Sequence, residues 1–198
     1  MNRSFLKICI SFLILVFLCG CKNDEYDFAE TTITVEKRGK VKESIVENFD
    51  KDYYNLEELK TEFTASVDAY NESIGGDEIK LRNIELKKDS KIYVDLEFTG
   101  PSDYESFVGE KLFVGTVSDA YDNGYTMDVV LKGVEKGDKI DKLKIMSMAD
   151  RNIIIMSEHA RIRTFKDIAY VSANVDVIDS NEARVLSESD GLAYLILE

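Results

Sequence analysis

The spacing of short apolar runs in the second half of the chain narrows the fold more than any other feature. Residues 112–117, 127–131, 143–148, 153–156, 160–165, 168–177 and 192–197 are each strand-like and separated from the next by turn residues. Upstream, Ile92, Val94, Leu96 and Phe98 alternate with Tyr93, Asp95 and Glu97, which predicts a strand with one apolar face. An Asp89-Ser90 turn opens that strand, and Gly100-Pro101 closes it. Pro101 then suits the first position of a short helix over residues 102–108.

The first third of the chain is mixed. Ile33 and Val35, Arg38-Gly39-Lys40, and then residues 41–49 read as a hairpin across a glycine turn. Glu43 and Glu47 share the parity of Val41, Ile45 and Phe49, so an edge strand or a bulge is expected there. Asn55 is an N-cap with Glu58 placed to complete a capping box, and Tyr54 is placed to staple onto Leu59. Leu59, Phe63, Val67, Tyr70 and Ile74 follow at helical spacing until Gly75-Gly76 supplies the left-handed stop. Ile79 and Leu81 have opposite parity to Ile84 and Leu86, which predicts a bulge near Asn83. The expected class is α+β: a largely antiparallel β-sheet with one long N-terminal helix packed on it and one short helix. No repeat or Pro- or Ser-rich linker divides residues 31–198, so a single domain is expected.

The N-terminus carries an address. Arg3 and Lys7 precede an apolar stretch over residues 8–17, and small Gly20 stands directly before Cys21, as in a secretory signal. The apolar stretch is about half of the ~20 residues a spanning helix needs. Leu18-Cys19-Gly20-Cys21 resembles the lipobox of bacterial lipoproteins, with Cys19 standing where Ala or Ser is commoner. The resemblance implies cleavage between Gly20 and Cys21, a diacylglycerol on the Cys21 sulfur and acylation of the new N-terminus. Residues 1–20 are then the signal, residues 21–30 the lipidated cysteine and a short tether spanning at most ~30 Å, and residues 31–198 an extracytoplasmic domain. Two or three acyl chains, at ~0.8 kcal/mol for each buried CH₂, hold more durably than one. The expected location is the outer face of the cytoplasmic membrane. Lys22 is not the Asp that resembles an inner-membrane retention signal, so a host with an outer membrane could place the chain there. Residues 31–54 and Leu192-Ala193-Tyr194-Leu195-Ile196 resemble uncharacterised lipoproteins of Gram-positive bacteria, a resemblance that implies no activity.

Charge and cysteine content then exclude classes. Removing Arg3 and Lys7 with the signal takes the net charge from −13 to −15. An acidic chain of this kind is a poor nucleic-acid binder, which would need Lys and Arg to displace counterions, and it is repelled by an anionic leaflet. Cys9 and Cys19 leave with the signal and Cys21 carries lipid, so the mature domain keeps no thiol for a disulfide, a nucleophile or zinc. The core alone must stabilise it.

No chemical constellation stands out. His159 is the sole histidine, which excludes multi-His metal centres, and alternation places it on the face of Arg161 and Arg163. No G-x-S-x-G elbow exists, and the one S-x-x-K spacing, Ser4 to Lys7, lies in the signal. Asp119, Asp122, Asn123 and Gly124 resemble a calcium loop only superficially. With Gly124 in the sixth position, Tyr121 and Val130 fall where carboxylates are required, so an acidic turn is the favoured reading. Gly75-Gly76 follows a helix rather than opening one, the reverse of an anion-binding arrangement. The 38 acidic side chains guarantee carboxylate pairs at some distance; a carboxylate-only hydrolase would need two facing each other in a cleft. Sugar stacking has no tryptophan to use. Aromatics at Tyr53-Tyr54 and at Tyr104, Phe107, Tyr121 and Tyr125 would make a recognition surface if exposed together.

No catalytic residue, metal or cofactor is therefore expected. The sequence reading is a membrane-anchored, non-enzymatic protein-interaction module whose partners are the membrane, through its lipid, and an envelope protein. A small-ligand or cation-binding lipoprotein serving a transporter or sensor is the alternative.

Overall fold

The structure, a computed structural model, describes residues 29–187 and 191–198. The expected signal over residues 1–20, including Gly20, the expected lipid acceptor Cys21 and the expected tether up to residue 28 lie outside the described residues. The first hairpin forms as its glycine turn predicts. Strand β1 (Thr32–Val35) pairs antiparallel with β2 (Val41–Asn48). Helix α1 (Leu56–Ile74) begins at Asn55, whose side chain accepts from the Glu57 and Glu58 amides, and ends at Gly75 with φ 69°. The amides of Gly75 and Gly76 bond to the carbonyls of Glu72 and Asn71, closing the last turn. Strands β3 (Ile79–Leu86) and β4 (Lys91–Phe98) follow, with the register shift falling between Leu81 and Asn83. Helix α2 (Pro101–Val108) carries its proline in the first turn.

Strand β5 (Leu112–Thr116) runs into helix α3 (Val117–Asp122). Next come β6 (Leu131–Gly133), β7 (Lys139–Ile140), helix α4 (Lys142–Met146), β8 (Asn152–Met156) and β9 (Arg161–Arg163). The chain closes with β10 (Ile168–Val171), β11 (Val175–Asp179), β12 (Glu182–Val185) and β13 (Ala193–Leu197). One sheet has seven strands in the order β11-β12-β9-β1-β2-β4-β3, and the other has six in the order β5-β8-β13-β10-β6-β7. The β1–β9 pair is parallel and the remaining pairs are antiparallel.

The expected α+β class is corrected by this architecture. The described chain is mostly β, with thirteen strands in two sheets and four helices rather than one sheet with one long and one short helix. The reason lies in the core. Ile33, Leu96 and Phe98 of the seven-stranded sheet share one apolar cluster with Leu112, Ile154 and Leu195 of the six-stranded sheet, so two sheets cover each other. Ile153, Ile155 and Ile196 point the opposite way and are covered by Val117 and Ala120 of α3 and Ile145 of α4. Burial on both faces explains why β8 and β13 are continuous apolar runs, not alternating ones. Helix α1 is peripheral: Val67 is its one buried residue, and Ile74, expected on its apolar face, is 47% exposed.

Other elements differ from expectation for related reasons. Residues 143–148, read as a strand, instead form most of α4 and the turn after it, with Asp141 capping the Lys144 amide. Residues 168–177 divide into β10 and β11, which belong to different sheets. Strand β2 is not at an edge but between β1 and β4, and Glu43 faces the core beside Ile33 and Leu96.

Candidate functional site

Two features stand out from the packed core. The first is a cleft of about 560 Å³ along β5, within the ~300–1,000 Å³ range of ligand sites. Pro101, Ser102 and Glu105 of α2 form one wall, Asn123, Gly124 and Tyr125 after α3 form the other, and Lys111 to Val114 line it between them. Alternation along β5 explains the two sides. Leu112 joins the core between the sheets, while Phe113 turns to the opposite face and meets Tyr125 at 5.0 Å between ring centroids. Lys111 pairs with Glu105 at one end. That contact raises the Lys111 ammonium above its ordinary value, and burial followed by the Glu105 charge raises the Tyr125 phenol.

Gly115 keeps the aromatic side of this cleft in place. A Cβ there would stand 2.8 Å from Phe113 Cζ and 3.4 Å from Asp119 Cβ. Gly115→Ala should therefore push the Phe113 ring off Tyr125 and cost about 1–3 kcal/mol. Thermal unfolding and the tyrosine near-UV dichroism of the variant measure both effects; an unchanged aromatic spectrum would show that the ring has room to yield.

The second feature is a carboxyl pair. Glu43 is 3% exposed on the core side of β2, and Glu158 reaches it from the loop between β8 and β9 to share a side-chain hydrogen bond. One oxygen of each has no partner among the described residues. Burial first, and the neighbouring Glu158 second, push the Glu43 carboxyl up to about 8. Burial also raises Glu158, opposed by its hydrogen bond with Glu43 and by the His159 charge. Ionising both carboxyls side by side in an apolar wall is costly, so Glu43 keeps its proton until the pH approaches 8. The sequence held one trace of this pair, the misplaced parity of Glu43; nothing local pointed to Glu158, 115 positions away.

The pair does not line the cleft, whose carboxylate among the described residues is Glu105. The outer face of the seven-stranded sheet is self-neutralised. Arg161 and Arg163 flank Glu182, Arg184 binds Glu30, and Lys40 and Arg82 converge on Glu97 at 2.7 and 2.6 Å. His159 is exposed just before β9. Asp119 belongs to the capping box of α3, its Oδ2 accepting from the Thr116 amide and hydroxyl. Among the described residues there is no group of three or more His, Cys, Asp or Glu side chains placed to hold a metal ion. The aromatics do not gather on one surface: Tyr104 is fully buried, Phe107 packs on Phe98 and Tyr70, and Tyr53 and Tyr121 are exposed.

Fold and site together define a two-sheet, mostly β domain with a cleft along a sheet edge. Comparison with protein-family models, curated proteins and solved structures finds no match.

Proposed function

We propose that this chain is a lipid-anchored bacterial lipoprotein that acts as a non-enzymatic protein-interaction module outside the cytoplasmic membrane, with the cleft along β5 as its contact site. The anchor rests on the lipobox-like Leu18-Cys19-Gly20-Cys21. The recognition role rests on the cleft, which combines the Phe113–Tyr125 ring pair, the Lys111–Glu105 ion pair and an edge strand. It has an aromatic contact area and polar groups to orient a partner, and among the described residues Glu105 is the one carboxylate lining it, where hydrolysis by carboxyls needs two that face each other. Among the described residues no helix is long and apolar enough to cross a membrane; in this reading attachment comes through Cys21.

In-cell crosslinking of the intact chain, with Cys21→Ala as the unanchored control, tests the reading. A partner recovered from the anchored form, with crosslinks mapping to the cleft, is the expected result. Loss of membrane fractionation in the control is expected alongside it. A membrane-bound Cys21→Ala chain would refute lipid anchoring, and crosslinks confined to other surfaces would refute the cleft as the contact site. The volume of the cleft favours one second reading, a small ligand held there on behalf of a transporter or sensor.

A further inference from the structure

The place of Ala29, the first described residue, fixes which end of the domain lies nearest Cys21. Its carbonyl accepts from the Lys91 ammonium at 3.2 Å. Lys91 opens β4 opposite Asn48, the last residue of β2. Strand β1 then carries the chain away from that end, because it runs antiparallel to β2. Seven residues separate Cys21 from Ala29, and even fully extended they span at most ~30 Å. A chain anchored at Cys21 therefore keeps this end of the seven-stranded sheet close to the bilayer.

The same end carries exposed aromatic and apolar side chains. Residues 49–55 connect β2 to α1 there, and the Phe49 amide donates to the Ser90 carbonyl of the β3–β4 turn at 2.7 Å. Phe49 packs against the core between the sheets. Tyr54 stacks on it at 4.8 Å and meets Tyr53 edge-on at 5.0 Å, so both tyrosines are held from the core outward. Tyr53 is nonetheless 78% exposed and Tyr54 41%. Leu86, opposite Ile92 at this end of β3, is also 41% exposed. Charge differs here from the rest of the chain. Segments 47–54 and 85–91 carry four lysines against five acidic side chains, a near balance in a chain of net −13. Repulsion from anionic headgroups is therefore weak at this end.

We infer that Tyr53, Tyr54 and Leu86 seat this end of the domain on the headgroup–acyl boundary of the membrane that holds the chain. The inference rests on the lipid-anchor reading and adds a second contact, made by the domain itself, that fixes its orientation. Tyrosine suits that boundary, with its ring toward the acyl chains and its hydroxyl among the headgroups. The tether selects lipid as the occupant. A patch this small would not hold a free protein on a bilayer, but beside an anchor the contact is intramolecular and needs little affinity of its own.

The chain contains no tryptophan, so Tyr53→Trp places a single indole at the contact. Tyr121→Trp, at a residue 49% exposed on α3, places one elsewhere. Each protein is expressed from the full chain, purified from membranes and reconstituted in phosphatidylcholine vesicles with or without bromine high on the acyl chains. Brominated lipid should quench Tyr53→Trp emission roughly twofold or more and leave Tyr121→Trp nearly unchanged. Wild-type chain in vesicles holding a diazirine-bearing lipid gives a measurement free of any substitution: light-induced adducts should map to residues 49–54 and 86–91. Vesicle-bound protein without adducts in those segments, or with Tyr53→Trp unquenched, would overturn the docking while leaving the lipid anchor in place. Equal quenching at residue 121, or adducts spread over the whole domain, would also overturn it by showing no preferred orientation. Protein that does not float with vesicles would remove the anchor and the docking together.

Discussion

Glu43→Gln should make the protein more stable at high pH and leave it nearly unchanged at low pH. In the native state the Glu43 carboxyl is raised from its ordinary 4.5 to about 8, because the charged form is buried and faces Glu158. The unfolded chain ionises near 4.5 and so releases the proton first. Stability from this group is therefore complete below pH 4.5, falls as pH rises toward 8, and is lost above it. Gln carries no charge at any pH and can donate from its amide to Glu158, so the variant should lack that slope. The gain at pH 9 should be on the order of 3–5 kcal/mol, with little difference at pH 4.5. Denaturant unfolding of both proteins from pH 4 to 9 measures it, and parallel pH profiles would show that the pair stays ionised and hydrated.

Phe98→Ala should be the most damaging of the substitutions considered. Phe98 is fully buried at the end of β4 and meets Tyr104 edge-on at 5.3 Å and Phe107 at 6.1 Å. It therefore joins α2 to the sheet, and α2 forms one wall of the cleft. Removing the ring takes away its transfer free energy and leaves a cavity between rings that cannot collapse into it. The expected loss is about 3–5 kcal/mol, a large part of the ~5–15 kcal/mol that holds a domain together. Because the wall shifts with the ring, crosslinking of a partner at the cleft should weaken as well. Leu143→Ala, at a side chain 81% exposed, is the matching control and should stay within about 0.5 kcal/mol of wild type. A Phe98→Ala protein as stable as that control would mean that α2 is not held through this ring.

Where structure depends on neighbours close in sequence, the residues were enough. Asn55 and Gly75 mark the ends of α1 because capping bonds reach only two to five residues. The shift beside Asn83 and the clean alternation of β4 were likewise visible, because a strand with one covered face repeats every second residue. The lipobox-like motif is a local pattern too.

The rest depended on contacts between distant segments. Residues 143–148 have the apolar content of a strand, yet Ile145 is needed to cover the second sheet, so the segment closes as a helix. Residues 168–177 form one apolar run in sequence but two strands in two sheets, because Ser172 bonds the Tyr194 amide where the chain turns away. Glu43 broke the alternation of β2, and parity alone read the strand as an edge or as bulged. Tertiary structure placed it in the core, because Glu158 arrives there to share its proton. The same holds for the cleft: Lys111 to Val114 read as an ordinary strand, and only the order of the sheet makes it an edge. Short-range bonds and periodicity are written in consecutive residues, whereas burial, proton sharing and strand order are set by whichever distant segment removes water from the surface.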